Sequence, residues 1–478
     1  MKNGFAFFTP LTRRWRGMSR RRRGAIFVTT LGVIVILSGL LLAFAQDMRT
    51  EVIAAGNRAS QIQADAIELA GEKYVMAMID YYNSTAPVTN AAGSSVTDSW
   101  SLVYNTPAQA VQVGNGYFWI IRPNEQSDTE YDYGIVDECS KLNLNVASFN
   151  ANMLLQLPTG ITQDVADAVI DWKTPAAQGS QDGAQTDYYN GLAIPYEAKN
   201  QPYETVDEMM LVRGIGVNEL YGLDANHDGI VDDGERAASS NSNSTSGGVS
   251  ASADTRGIAR YLTVWSQGEI MVQPITTGGT AGAGRGGATA GRAGGGGGGG
   301  TTTSVASGLI NVNTASENVF IALGLTQSEA NSLVTAAQGQ SGGLIQQSDI
   351  QTAMGGSVPS SFYNQVTTSS YQYSADIVAV SGDGRAYKRV KIIIDCSPKA
   401  EAGSTGSSGS ASPLSGSSAN GVASTASASA VPSCVMVYRR DLSNFGWPLP
   451  QDIRTALRSG QPIEPGVPGS NLQDNGRQ

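Results

Sequence analysis

The sequence predicts an α+β protein: a long N-terminal helix, strands of an antiparallel sheet, a large helical insertion between those strands, and disordered linkers. Three observations carry this. A run of 21 uncharged residues, 25–45, continues into a helical pattern with no turn residues. Segments rich in aromatic and β-branched residues lie both before and after the middle of the chain. The middle holds two copies of one helical pattern.

Composition narrows the chemistry first. The chain has 478 residues, of which 15% are charged, against about 25% in an average globular protein. His227 is the single histidine. A His-rich zinc site is excluded, and any Ser-His-Asp or Cys-His arrangement would have to run through that residue. Three cysteines exclude a disulfide-dense scaffold and a C-x-x-C knuckle. No spacing of carboxylates points to catalysis, so no enzyme is expected. The net charge is −10, yet eight basic residues, Lys2, Arg13, Arg14, Arg16 and Arg20 to Arg23, crowd the first 24 positions. A basic tail on an acidic body is the wrong distribution for neutralising phosphates, so nucleic acid is not an expected partner.

The basic run stops at Gly24. The 21 residues after it would rise about 30 Å as a helix, one hydrocarbon core. Arginines on the N-terminal side predict a cytoplasmic N-terminus and a body that faces outward after Gln46. A secretory signal peptide cut after Ala43-Phe44-Ala45 is an alternative, although the apolar run is long for one. An ordinary single-span anchor is another. A third reading uses Ala59, Ile62, Ala66 and Leu69, which recur at helical spacing. The helix then continues through 25–82, half in the membrane and half packed on a soluble domain, with Gly56 and Gly71 as its weak points.

This combination of basic leader, terminal glycine, apolar span and unbroken amphipathic continuation resembles a type IV pilin or pseudopilin precursor. The resemblance implies a leader at 1–24, cleavage between Gly24 and Ala25 by a prepilin peptidase, and methylation of Ala25. The fifth mature residue is usually glutamate in that family; here it is Thr29, a departure. A carboxylate inside the bilayer is costly unless paired, and a subunit with nothing above it needs none. The departure therefore fits a minor pseudopilin at the tip of a filament.

In the body, Gly116-Tyr117-Phe118-Trp119-Ile120-Ile121-Arg122-Pro123 and Asp132 to Glu138 read as strands. Tyr371 to Val380 and Ala386 to Asp395 flank Ser381-Gly382-Asp383-Gly384-Arg385 and read as a hairpin. Between them, Leu142-Asn143-Leu144-Asn145-Val146-Ala147-Ser148 matches Ile310-Asn311-Val312-Asn313-Thr314-Ala315-Ser316. A helix pair follows each copy. Thr326 to Glu329 and Thr205 to Glu208 have the form of capping boxes. Val212-Arg213-Gly214-Ile215-Gly216-Val217 has the look of a helix-hairpin-helix turn, but Asp207, Glu208, Glu219 and Asp224 around it repel phosphate.

The segments Lys141 to Asn145, Asp171-Trp172, Tyr188-Tyr189, Gln201 to Glu208, Leu211 to Gly214 and Ile310 to Ala315 closely resemble, in this order, the minor pseudopilin K family of the type II secretion system (general secretion pathway protein K). The resemblance implies a pilin-type fold: the N-terminal helix on an antiparallel sheet at 83–145, a helical insert at 146–256, a strand segment at 257–275, a second helical repeat at 309–360 and C-terminal strands at 361–396. It implies other minor and major pseudopilins, the prepilin peptidase, the inner-membrane secretion platform and inner-membrane lipid as partners, and secreted exoproteins as further ones. The expected location is the inner membrane, single-pass, with a periplasmic body. The expected role is to cap a pseudopilus and help initiate its assembly. A minor pilin of a type IV pilus or DNA-uptake filament, and a secreted calcium-binding adhesion module released after Ala45, are the alternatives. The residues after Asp171-Trp172 are less acidic than is usual in the family.

Asp224-Ala225-Asn226-His227-Asp228-Gly229-Ile230-Val231-Asp232-Asp233-Gly234-Glu235 satisfies the EF-hand calcium pattern. Asp224, Asn226 and Asp228 supply oxygens at positions 1, 3 and 5, Ile230 its carbonyl, Asp232 the water-bridged position and Glu235 the bidentate closure. A helix is expected before the loop, from Val206 to about Leu220, and no long helix after it, so the expected role of calcium is structural. His227, at a non-ligand position, is expected to be exposed. Ser239 to Ala253, the glycine tract at 276–308 and the serine-rich tract at 397–433 are expected to be flexible linkers. Cys396 and Cys434 bracket the last of these and could pair in an oxidising compartment, leaving Cys139 single. The C-terminal segment, 434–478, is apolar enough to dock on the body.

Overall fold

The computed structural model describes residues 20–84, 88–89, 95–96, 98–241 but for 126, 128, 176–177 and 181, 255–270, 302–397 but for 341, 357 and 359, 425–427, 434–461 and 463. The chain divides into two compact units, residues 1–59 and 60–478. Arg20–Ser84 is one helix of 65 residues. It begins five residues before the expected start, because arginine is a good helix former and no breaker lies between Arg20 and Arg23. In the first unit the apolar side chains from Ile26 to Phe44 are exposed, as a membrane span requires. The Thr29 and Thr30 hydroxyls donate to the carbonyls of Ile26 and Phe27.

In the second unit an antiparallel sheet of seven strands forms the centre. Its main path runs Val435–Asp441, Tyr387–Asp395, Gln372–Val380, Gly116–Pro123, Val111–Val113. Tyr131–Tyr133 pairs with Gly116–Pro123, and Val136–Asp137 with Gln372–Val380. The predicted hairpin forms with nine paired residues on each strand. The predicted strand Asp132 to Glu138 is broken: Gly134 sits at φ +152°, where an added Cβ would meet the Val103 carbonyl at 2.7 Å, and Glu138–Ser140 turns into a 3-10 helix.

Because side chains alternate along a strand, the sheet offers two different faces. Phe118, Ile120, Ile377, Ala379, Val390, Ile392 and Ile394 pack against Ile67, Val75 and Ile79 of the long helix. Gly71, read from sequence as a weak point, is a contact point: a Cβ there would lie 2.8 Å from Ile377 Cγ2. Arg439 on the edge strand ties down the same helix, with Nε 2.6 Å from Glu72 and a nitrogen 3.1 Å from Glu68. On the other face Tyr117, Trp119, Ile121, Val378 and Val380 bury Leu449 and Leu457 of the C-terminal segment. That segment adds the edge strand and the helix Gln451–Arg458.

The two sequence repeats fold alike. Leu142–Asn143 pairs in parallel with Leu262–Thr263, and Ile310–Asn311 with Val366–Thr367. In each, the second asparagine forms a two-way amide fork. Asn145 donates to the Tyr203 carbonyl and accepts its N–H, both at 2.8 Å. Asn313 donates to the Leu344 carbonyl at 2.9 Å and accepts its N–H at 2.7 Å. The first asparagine of each pair donates to a serine hydroxyl, Ser266 or Ser370. Helices Ala151–Leu155 and Gln163–Lys173 follow the first copy, Glu317–Ala322 and Gln327–Gly339 the second. Both copies share one hydrophobic core that includes Leu154, Val169, Trp172, Phe320 and Leu333.

Several expectations are corrected. Thr326 and Glu329 close a capping box, but Thr205 makes no side-chain cap. Glu208 instead accepts from Trp172 and Lys199, each at 2.9 Å. The tract at 276–308 is not linker throughout: Thr302–Ser307 is a strand, paired with Gln267–Glu269 and with Thr425–Ser427 inside the serine-rich tract. Threonine and valine at 302–305 favour extended backbone. The stretch after Asp233 is helical as far as Asn241.

Candidate functional site

The acidic loop is reached differently from expectation. Val206–Leu211 is a 3-10 turn, and a separate short helix, Val217–Tyr221, precedes the loop. The break lies at Gly214, φ +79°, where a Cβ would strike Val165 at 2.4 Å. Arg213 is spent on structure: its guanidinium donates to the carbonyls of Gly183, Asp164 and Asp182. The nine-residue helix Asp233–Asn241 then begins inside the loop's last positions.

Within the loop the acidic side chains organise the backbone. Asp224 accepts the N–H groups of Asp228 at 3.1 Å and Gly229 at 2.8 Å. Asn226 Oδ1 accepts the Asp228 N–H at 2.9 Å, and Asp228 Oδ1 that of Ile230 at 3.0 Å. Gly229 takes φ +90°, and a Cβ there would meet Pro123 Cγ at 2.5 Å, so this turn needs glycine. Glu235 accepts the N–H groups of Ala225, Asn226 and Asp232 at 2.9–3.2 Å, and Asp232 accepts the Glu235 N–H at 2.9 Å.

The loop is clamped from outside by residues that the sequence pattern does not mark. Arg389, fully buried, pairs with Asp376 at 2.6 Å. It also donates to the carbonyls of Asn226 and His227. The Tyr131 hydroxyl sits against the Asp228 carboxylate and the Pro448 carbonyl. His227 is not exposed. It takes φ +56° and stacks 3.6 Å from the Tyr221 ring, with Phe445 at 4.4 Å on its other side. Burial, followed by the nearby Arg389 and Lys391, pushes its pKa down to about 4, so it is neutral at pH 7. The C-terminal segment thus reaches the loop through Phe445 and Pro448.

Calcium fits this loop by donor chemistry. The side chains are hard oxygens, and Asp224 and Asp228 are both buried. Burial, then the charge of Asp228, raises Asp224 to about 7; burial raises Asp228 to about 6. Two desolvated carboxylates side by side favour a cation between them. Among the described residues, however, no three His, Cys, Asp or Glu groups converge at metal-holding distance. The Glu235 carboxylate faces backbone amides, and ligation by it would exchange those bonds for the ion.

Of the remaining sequence-marked residues, Gly24 and Ala25 fall inside the helix Arg20–Ser84, with side chains outside the described residues. Leader residues 1–19 also lie outside them. A disulfide joins Cys396 to Cys434. Cys139 is free and fully buried, and burial pushes its thiol well up, so it is inert. Beside it, Asp137 accepts from Asn311, Thr314 and Ser370 at 2.7–2.8 Å. This buried carboxylate ties the sheet to the second repeat.

Residues 143–223 match the model of the family described as type II secretion system (T2SS), protein K. The match covers the first repeat and stops one residue before the acidic loop. Among solved structures, the chain is similar to one titled the crystal structure of the GspK-GspI-GspJ complex from the enterotoxigenic Escherichia coli Type 2 Secretion System. The identity is 9%, the TM-score 0.38, and the coverage 82% of this chain and 99% of that one. At that TM-score the structural similarity carries no argument. No curated protein matches the chain significantly.

Proposed function

From the type II secretion system protein K domain that this chain carries at residues 143–223, we propose that it is a minor pseudopilin. It is anchored by Ala25–Ala45 in the inner membrane, with its body in the periplasm. It caps the pseudopilus tip and helps start filament assembly for export of folded proteins. Its role is assembly rather than catalysis. The partners are other minor and major pseudopilins. The prepilin peptidase and the inner-membrane secretion platform act on it, and exoproteins meet the tip.

One observation carries the reading. While Ile67, Val75 and Ile79 are buried on the sheet, Ile62, Ala66 and Leu69 of the second unit repeat at four-three spacing and are exposed, and in the first unit Met48, Val52, Ala55 and Ala59 do the same. Met48, Val52, Ile62 and Leu69 are 63%, 70%, 68% and 54% exposed. Alternating four-three spacing is the seam along which another helix packs. Thr29, which replaces the usual glutamate, has its hydroxyl satisfied by the Ile26 carbonyl. The calcium loop, in this reading, is a structural site that fixes the first repeat against the sheet and the C-terminal segment.

Sequencing the mature N-terminus tests the reading. Methylated Ala25 is the expected first residue, and replacing Gly24 with a bulky residue should leave the precursor uncut in the membrane. A start at Gln46 would remove the membrane helix and sink the proposal.

A further inference from the structure

Between the sheet and the helical region lies a cavity of about 270 Å³. One wall is the sheet face that turns away from the long helix. Register places Asp376, Lys391 and Arg440 in one row across three strands, and residues directly opposite one another share a face. Three carboxylates around this row are each matched, while Asp137, Asp224 and Asp228, which also line the cavity, are held by hydrogen bonds rather than ion pairs. Asp376 holds Arg389 at 2.6 Å, Glu138 holds Lys141 at 2.8 Å, and Asp207 holds Arg440. Glu138 also accepts from Thr263 and Ser374.

Lys391 is left over. It lines the cavity, and among the described residues its ammonium group has no ion pair and no hydrogen bond. Burial, joined by the charges of Lys141 and Arg389, pushes its pKa down against the pull of Glu138 and Asp376, and Asp207 feels its charge too. A half-buried cation without an acceptor is costly. The same cavity offers apolar surface at Leu262, Ile393, Trp265 and Tyr438, the last two with ring centroids 6.5 Å apart.

We propose that this cavity binds one carboxylate group, with Lys391 as its counter-ion and Trp265 and Tyr438 beside the attached carbon skeleton. One unmatched cation calls for one negative charge. A dianionic phosphate would set surplus charge against Glu138, Asp207 and Asp376. Ligand pockets usually span about 300–1,000 Å³, so this one admits a small organic acid or a single acidic side chain of a peptide. The recognition chemistry of the two is the same.

The test is calorimetric titration of the full-length protein in detergent with sodium benzoate, with a capped Gly-Glu-Gly peptide and with inorganic phosphate. Saturable one-site binding of benzoate or the peptide is expected, and none of phosphate. Lys391→Met should weaken that binding at least about tenfold, the loss of one charge-assisted bond, while Lys391→Arg retains it. The Met variant removes a desolvated charge and should melt no lower than wild type, which keeps its folding in view. Binding of benzoate alone assigns the site to a free acid; binding of the peptide alone assigns it to a partner's acidic side chain. Failure of both to saturate, equal affinity in Lys391→Met, or phosphate binding as tight as benzoate would each overturn the proposal.

Discussion

The two helical repeats share one scaffold and differ in what is hung on it. Each starts with a parallel strand pair and closes on an amide fork, Asn145 with Tyr203 and Asn313 with Leu344. The first copy reaches the sheet through Glu138, which accepts from Thr263. The second does so through the adjacent Asp137, which accepts from Asn311, Thr314 and Ser370. The first copy continues into the acidic loop, which Arg389 and the C-terminal segment hold from outside. The second returns directly to the sheet. The shared parts are saturated and buried, so they set shape. The unshared loop carries desolvated carboxylates, and responsiveness to conditions is therefore expected on one side of the pair.

The sharpest break of this symmetry comes from the forks. Asn313 also donates to the Thr368 carbonyl, one partner more than Asn145 has in its fork. Asn313→Ala should cost about 3 kcal/mol and Asn145→Ala about 2 kcal/mol, as buried amides lose their partners. Urea unfolding of the two variants measures both. Equal or reversed costs would mean that the extra bond to Thr368 adds nothing to the second fork.

Calcium should separate the copies next. At a concentration 100 times the dissociation constant, a ligand confined to the folded state adds about 2.7 kcal/mol. Chelation is expected to lower Tm and to speed amide exchange from Leu220 to Ala237, while the Leu344 amide stays protected. Glu235→Gln should largely remove the calcium response. Exchange that rises equally in both copies would place the ion elsewhere.

A pH series gives a smaller effect on the same side. Asp224 and Asp228 are raised to about 7 and about 6, so the ion-free fold holds protons that the unfolded chain has lost. Its stability therefore falls as pH climbs from about 4 through about 7. The calcium-bound loop needs both groups ionised. The difference in Tm between calcium and chelator should widen from pH 5 to pH 8, and a constant difference would disprove the coupling.

The smallest expected change concerns His227. It is neutral and stacked between two rings, so His227→Phe should alter Tm by less than about 1 kcal/mol equivalent, and it should leave the calcium response intact. A large loss would give the imidazole a role beyond stacking.

Much of this was legible where chemistry is local. The long helix, the strand Gly116–Pro123, the hairpin and the repeated Asn-x-Asn pairs can all be read from neighbouring residues. The oxygen donors of the acidic loop can be read the same way. What surrounds them could not. The strands Leu262–Thr263 and Val366–Thr367 are two residues long and lie far from their partners. Their shared signal, a threonine three residues before Ser266 or Ser370, is visible only once the pairing is known. Arg389, Asp376 and Lys391 are polar residues on one alternating face of the hairpin. That alternation marks a face turned away from the long helix, but not what it meets. The helix expected from Val206 to Leu220 failed because Gly214 and the bonds of Arg213 favour a turn, a tertiary effect that outweighs local propensity.

The Cys396–Cys434 disulfide fixes the two Cα atoms 4.1 Å apart across 38 positions. It makes the intervening tract a covalently closed ring hung from two neighbouring strands. A protease that cuts within 398–424 opens the ring without releasing the edge strand, so a nicked molecule still migrates as one chain until it is reduced. The edge strand is thereby held to its neighbour whatever the tract gains or loses in evolution.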